Sequence, residues 1–218
     1  MDKTVDKAVA RQFEIRPRKD GPSKFQQDQL ARMKEIITDS SEARTLAQSL
    51  WEFFEFRLVC RLPNIEKKRP SSCHIEIERF LQTRKAGDLT PQVVIRDSPR
   101  RQEALVHELL HLNLIALGYP RFRINAKDDP QWNLAGGIVN KADHPVILPT
   151  FKSFGYSEDR FLGNSRPATP LEKQVQEDLE QFKSDLCTPE GYGRVISDYL
   201  QSHSIEHETI WIAKMICF

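Results

Sequence analysis

Long apolar runs are missing from this sequence. No uncharged stretch approaches the roughly 20 residues that a membrane-spanning helix needs, so no transmembrane helix is expected. The first 13 residues, MDKTVDKAVARQF, hold no apolar run either, and no secretory signal is visible in them. Cysteine is sparse. Cys60, Cys73, Cys187 and Cys217 form no C-x-x-C pair, and without an export signal they read as reduced thiols of a cytoplasmic protein. Internal repeats and long low-complexity segments are also lacking. A net charge of one sign is nearly absent, at +1 overall, but the balance is uneven along the chain. Residues 1–101 carry 21 basic against 15 acidic side chains, a net +6, and residues 102–218 carry 11 against 16, a net −5. The basic clusters RPRK (16–19), KKR (67–69) and RR (100–101) suit either a solvated surface or contact with nucleic acid or an acidic partner.

What the chain does contain is enough apolar material for one cored domain: 218 residues, 39% of them hydrophobic. Residues 1–24 read as a flexible lead-in, with RPRKDGPSK at its end, and 25–218 as a single domain. Leu30, Met33, Ile37, Leu46 and Leu50 fall at helical spacing over about 25–50. EFRLVCRL (55–62) alternates like a half-buried strand, CHIEIERF (73–80) fits either strand or helix, and QVVIR (92–96) is a short β-branched strand. Ser98-Pro99 then reads as an N-cap and first helical residue, opening a Leu-rich helix that stops at Gly118. The same signature at Asp129-Pro130, Thr169-Pro170 and Thr188-Pro189 predicts helices over about 130–142, 170–186 and 189–202, with a short one over 146–154 closed by Gly155. The tail TIWIAKMICF is apolar on both phases and should be buried. Helices following two or three strands make an α+β fold.

Two pentapeptides carry the chemistry. HELLH (107–111) has the form H-E-x-x-H, and HSIEH (203–207) the inverted form H-x-x-E-H. His107 and His111 lie four apart on the Leu-rich helix, so both imidazoles share one face and can bind one tetrahedral Zn²⁺. Zinc lowers the pKa of a bound water to about 7, and Glu108 is placed to take its proton and pass it to the leaving amine. Chance alone would produce about 0.01 such matches in a chain of this composition, which weighs against coincidence. A catalytic zinc needs a third protein ligand. NKADHPVILPTFKSFGY (140–156) offers Asp143 as first choice and His144 as second, although Asp143 also reads as an N-cap before Pro145. Asp128 and Asp129 are weaker candidates, and Glu103 and Asn140 are candidate partners for a ligand or its neighbours. HSIEH lacks a helix to align its histidines and reads as a solvated turn, with one of its imidazoles a possible donor near the site. A competing reading makes the chain a DNA-binding regulatory module in which the HELLH helix is only structural.

The block VVIRDSPRRQEALVHELLHLNLIALG (93–118), together with NKADHPVILPTFKSFGY, resembles the edge strand, active-site helix and following acidic-His segment of ImmA/IrrE-like zinc metallopeptidases. The resemblance spans about 90–160. It implies a small zincin-like domain with Zn²⁺ on His107 and His111 and Glu108 as general base. Many relatives use a glutamate as third ligand, and Asp143 stands in that place here. The implied activity is narrow cytoplasmic proteolysis, cutting a helix-turn-helix repressor to switch on stress or phage-defence genes. Such proteases are held off until signalled, in some cases by a cysteine thiolate on the zinc. Cys73 is the candidate for that role, and single-stranded DNA a candidate activator for the basic N-terminal half.

Overall fold

The computed structural model of the protein describes residues 21–62, 71–75, 90–124, 129–161 and 170–212. The basic clusters at 16–19 and 67–69, Asp128, Cys217 and most of the lead-in lie outside the described residues. Among those residues the chain runs α1 (Lys24–Ile36), α2 (Ser41–Phe53), β1 (Val59–Arg61), β2 (Ser72–Ile75), β3 (Pro91–Val94), α3 (Arg101–Ala116), β4 (Arg121–Ile124), α4 (Asp129–Ser153), α5 (Glu158–Phe161), α6 (Pro170–Glu180), α7 (Lys183–Leu186), α8 (Pro189–Ser202) and β5 (His207–Ile210). This is the α+β class that the sequence implies.

The segment expected as one helix over 25–50 is two. Each starts at a serine whose side chain accepts from the first turn, Ser23 from the Gln26 N–H and Ser40 from the Ala43 N–H. The caps interrupt the periodicity, which apolar spacing alone does not reveal. β1 is shorter than expected because the chain turns at Glu55 and Phe56, both with positive φ. β1 pairs in parallel with β3, and β2 pairs antiparallel with β3. The order β1-β3-β2 places β3 in the middle and β2 at the edge. The strand expected at the edge, 92–96, is therefore central, and the ambiguous segment beginning at Cys73 supplies the edge. β4 and β5 form a separate antiparallel pair.

α3 is the centre of the molecule. It buries residues on every side, including Leu105, Leu109, Leu112 and Ile115, as a helix packed all round must. It begins two residues later than expected. Ser98 Oγ accepts from the Arg100 N–H and so shapes the approach rather than capping the helix, and Arg100 is the N-cap with no side-chain bond. Gly118, at φ +90°, ends the segment as expected. α4 is one helix of 25 residues, not two. Pro145 and Pro149 lie inside it and each removes one backbone donor. Burial of Ala135, Ile138, Ala142, Ile147 and Phe151 along its inner face holds it together across them. Asp143 is thus a mid-helix residue, not an N-cap. The expected 170–186 helix divides into α6 and α7, while α8 starts at Thr188-Pro189 as expected, with Thr188 Oγ1 accepting from the Gly191 N–H. No helix of the described residues is long and apolar enough to cross a membrane.

Candidate metal centre

α3 places His107 and His111 one turn apart, and α4 packs against it to bring His144 alongside. The ligand atoms of His107, His111 and His144 all lie within 4.8 Å of one another, the one such group of three among the described residues. The Nε2 atoms of His107 and His111 approach to 3.0 Å. The Nε2 of His144 is buried with no hydrogen-bond partner. Burial, with His111 and His144 close by, lowers the pKa of His107 to about 2, and burial with His111 lowers that of His144 to about 4. Both rings are therefore neutral near pH 7 and keep a lone pair to offer.

Asp143 stands outside this group and behind it. Its Oδ2 lies 2.7 Å from His111 Nδ1 and accepts from Arg121 Nη1 at 3.3 Å, while its Oδ1 accepts from Tyr192 Oη at 2.5 Å. Arg121 also donates through Nη2 to the His111 carbonyl. The carboxyl is only 2% exposed. Burial would raise its pKa, but the Arg121 guanidinium and the bonds from His111 and Tyr192 win and bring it to about 2. A carboxylate accepting three donors is committed. Its effect on His111 is to hold the proton on Nδ1, which leaves the Nε2 lone pair facing His107 and His144. So of the two expected third ligands, His144 is the one brought to the two motif histidines, and Asp143 orients His111. Adjacent helix positions point about 100° apart, which is why neighbouring residues take such different roles.

This donor set could hold a metal ion. Three imidazole nitrogens converge, one is a buried orphan, and a carboxylate bonds the far nitrogen of another. Two lone pairs 3.0 Å apart repel unless a proton or cation lies between them.

Glu108 is 7% exposed and points toward the edge strand. Burial raises its pKa, opposed by His111 and by hydrogen bonds from the thiol and the backbone N–H of Cys73. Cys73 is half-buried on β2, and burial together with Glu108 pushes its own pKa up. It therefore meets Glu108 as a neutral thiol donor. Glu103 is held in an ion pair with Arg160 at 2.9 Å. That pair ties α5 to α3, and Phe161 beside it covers the site, its ring centroid 4.6 Å from His107 and 5.0 Å from His144. Asn140 is exposed on the wall of the adjoining cleft. Asp129 opens α4, and its side chain lies outside what the structure describes.

Compared with protein-family models, with curated proteins and with solved structures, the chain matches none.

HSIEH has other occupations. His203 ends α8, stacks on Tyr199 at 4.7 Å and bonds the Tyr199 carbonyl. His207 lies on β5, with Nε2 2.8 Å from Ser197 Oγ. Sequence reasoning missed Arg121, Tyr192 and Phe161. None belongs to a local motif, and each reaches the site through tertiary packing.

A cleft of about 630 Å³ opens beside the centre. Residues of β2, α3, β4 and α4 line it, Glu108 and His111 among them.

Proposed function

We propose that this chain is a zinc-dependent endopeptidase, with zinc held by His107, His111 and His144 and Glu108 as general base. The observation that carries the reading is the convergence of three imidazoles, one with an unpartnered buried Nε2, with a buried glutamate beside the first of them in sequence that lines a cleft. Bound zinc would polarise the scissile carbonyl and acidify a water at neutral pH. Glu108 takes the proton of the attacking water and delivers it to the leaving amine. Burial favours its protonated form and so readies it for that delivery, while the Cys73 thiol and N–H hold the carboxylate in place. Asp143, itself anchored by Arg121 and Tyr192, keeps His111 in the ligating tautomer.

A polypeptide is the favoured substrate class because β2, bordering the cleft, is an edge strand among the described residues. Such an edge can take an extended chain by backbone pairing. The resemblance to ImmA/IrrE-like peptidases extends the reading to a cytoplasmic enzyme cutting a helix-turn-helix repressor to release stress or phage-defence genes, with single-stranded DNA as activator.

Metal analysis after gentle purification is the test. About one zinc per chain is expected, retained in Glu108→Gln with loss of cleavage, and lost in His107→Ala or His144→Ala. Wild-type protein that neither carries nor takes up zinc overturns the reading.

A further inference from the structure

HSIEH falls outside the candidate metal centre, yet it brings one of its histidines onto a serine. α8 ends with Ser204 at φ +57° and with the Ile205 N–H bonded to the Leu200 carbonyl at 3.0 Å, and Ile205 is buried. This turn starts β5 back alongside α8 and sets His207 beside Ser197, ten residues earlier. Ser197 Oγ and His207 Nε2 lie 2.8 Å apart, and His207 Nδ1 lies 3.1 Å from the Ile205 carbonyl oxygen.

The direction of each bond follows from its partners. A carbonyl oxygen only accepts, so Nδ1 carries a proton and donates to Ile205. In the neutral ring Nε2 then holds the lone pair, and the Ser197 hydroxyl donates to it. The result is a hydroxyl, a base and a third group that orients the base, the arrangement that activates a nucleophilic serine. A serine on a helix can instead return its hydroxyl to a carbonyl of the preceding turn. Ser153 does so to Thr150 and Ser202 to Tyr199, each at 2.8 Å. Ser197 turns to the imidazole. Both members of the pair are half-buried, so neither is sealed from solvent.

The surroundings set the substrate class. The Phe122 ring centroid lies 5.8 Å from that of His207, and Ile124 is the cross-strand partner of His207, so apolar surface adjoins the pair. Ser197 sits inside α8, where backbone N–H groups are spent on the helix's own bonds. Its own stretch of backbone thus offers no pair of donors to a developing oxyanion. An amide, with its poor leaving group, depends on such donors more than an ester that releases a stable anion.

We propose that Ser197 and His207 form a second reactive site, which takes an apolar acyl group from an activated ester such as an aryl ester. Ser197 Oγ bonds the acyl carbon as its proton passes to His207 Nε2. The bond from acyl carbon to aryl oxygen breaks, and the aryloxide leaves with the electron pair and takes the proton from His207. Water, losing its proton to the same Nε2, then cleaves the serine ester, which releases the carboxylic acid and restores the hydroxyl. No part of this site rests on the metal reading.

The test is labelling of the full chain with an alkyl fluorophosphonate, which a base-activated serine attacks at phosphorus with loss of fluoride. Adducts are mapped by mass spectrometry, with exposed Ser153 and Ser184 of the same molecule as references. Ser197 is expected to react at least about 100-fold faster than either, and His207→Gln, which can no longer take the proton, to lower that rate at least about 100-fold. Hydrolysis of p-nitrophenyl butyrate should fall as the Ser197 adduct accumulates. An adduct on Ser197 that forms no faster than on the reference serines overturns the proposal. So does an unchanged Ser197 rate in folded His207→Gln protein, or ester hydrolysis undiminished in fully labelled protein. The comparison among serines of the wild-type chain decides the matter without any variant, and it stands whether or not the protein carries zinc.

Discussion

Asp143 is the residue on which the candidate centre turns. It is buried, negatively charged, and shared by His111, Arg121 and Tyr192. Asp143→Asn keeps the shape but removes the charge that fixes the His111 tautomer, and zinc affinity is expected to fall roughly 10- to 100-fold in chelator competition. Asp143→Ala also leaves the Arg121 guanidinium buried without its partner, and an unfolding titration should show a further loss of about 3–5 kcal/mol. The thiols offer a second check. Cys187 is exposed, whereas burial pushes the pKa of Cys60 up to about 11. Brief alkylation at pH 8 followed by mass spectrometry should find Cys187 modified well before Cys60. At this scale the two motif histidines and Glu108 were legible because i, i+4 spacing states their common face. Asp143 and His144 were legible as a pair but not in their roles, since spacing along one helix does not say which face the other helix occupies. Arg121 and Tyr192 were not legible, because each acts through contacts across the fold.

Elements show where local signals succeed and where packing overrides them. Thr188-Pro189 starts α8 and Gly118 ends the α3 segment, as turn and cap chemistry dictate. Pro145 predicts a break in α4 that does not occur, because buried side chains on both sides of it keep the helix continuous. The fold class survived such errors because it depends on the kinds of element present and not on their boundaries. Glycines separate the two cases further. Gly136→Ala and Gly137→Ala meet no obstruction and raise helix propensity, so each should stabilise the protein by up to about 1 kcal/mol, a rise in Tm of about 2–4 °C. At Gly191 an added Cβ would overlap the Asp185 carbonyl and crowd Thr188 Oγ1 at 2.8 Å, where α7 hands over to α8. Gly191→Ala should lower stability by about 1–3 kcal/mol in the same melting assay.

Across the whole molecule, the candidate metal joins two helices that enter the fold separately. His107 and His111 belong to α3 and His144 to α4. A ligand that binds only the folded arrangement stabilises it by mass action. Added zinc should therefore raise the melting temperature in proportion to the logarithm of its free concentration, and His144→Ala should abolish most of that response. The long sequence separation between the α3 pair and His144 is also why the complete triad exceeds what any short motif can express. The Phe161 ring over His107 and His144 bears on kinetics and on ion choice. An apolar roof leaves little room for the water shell that magnesium or manganese keeps, so it favours ions content with few ligands. Departure of a bound ion would then wait for α5 to lift away from α3. Release into excess chelator should consequently follow a rate that levels off as chelator is increased, set by the protein's own opening and faster when Arg160→Ala loosens the tie to Glu103.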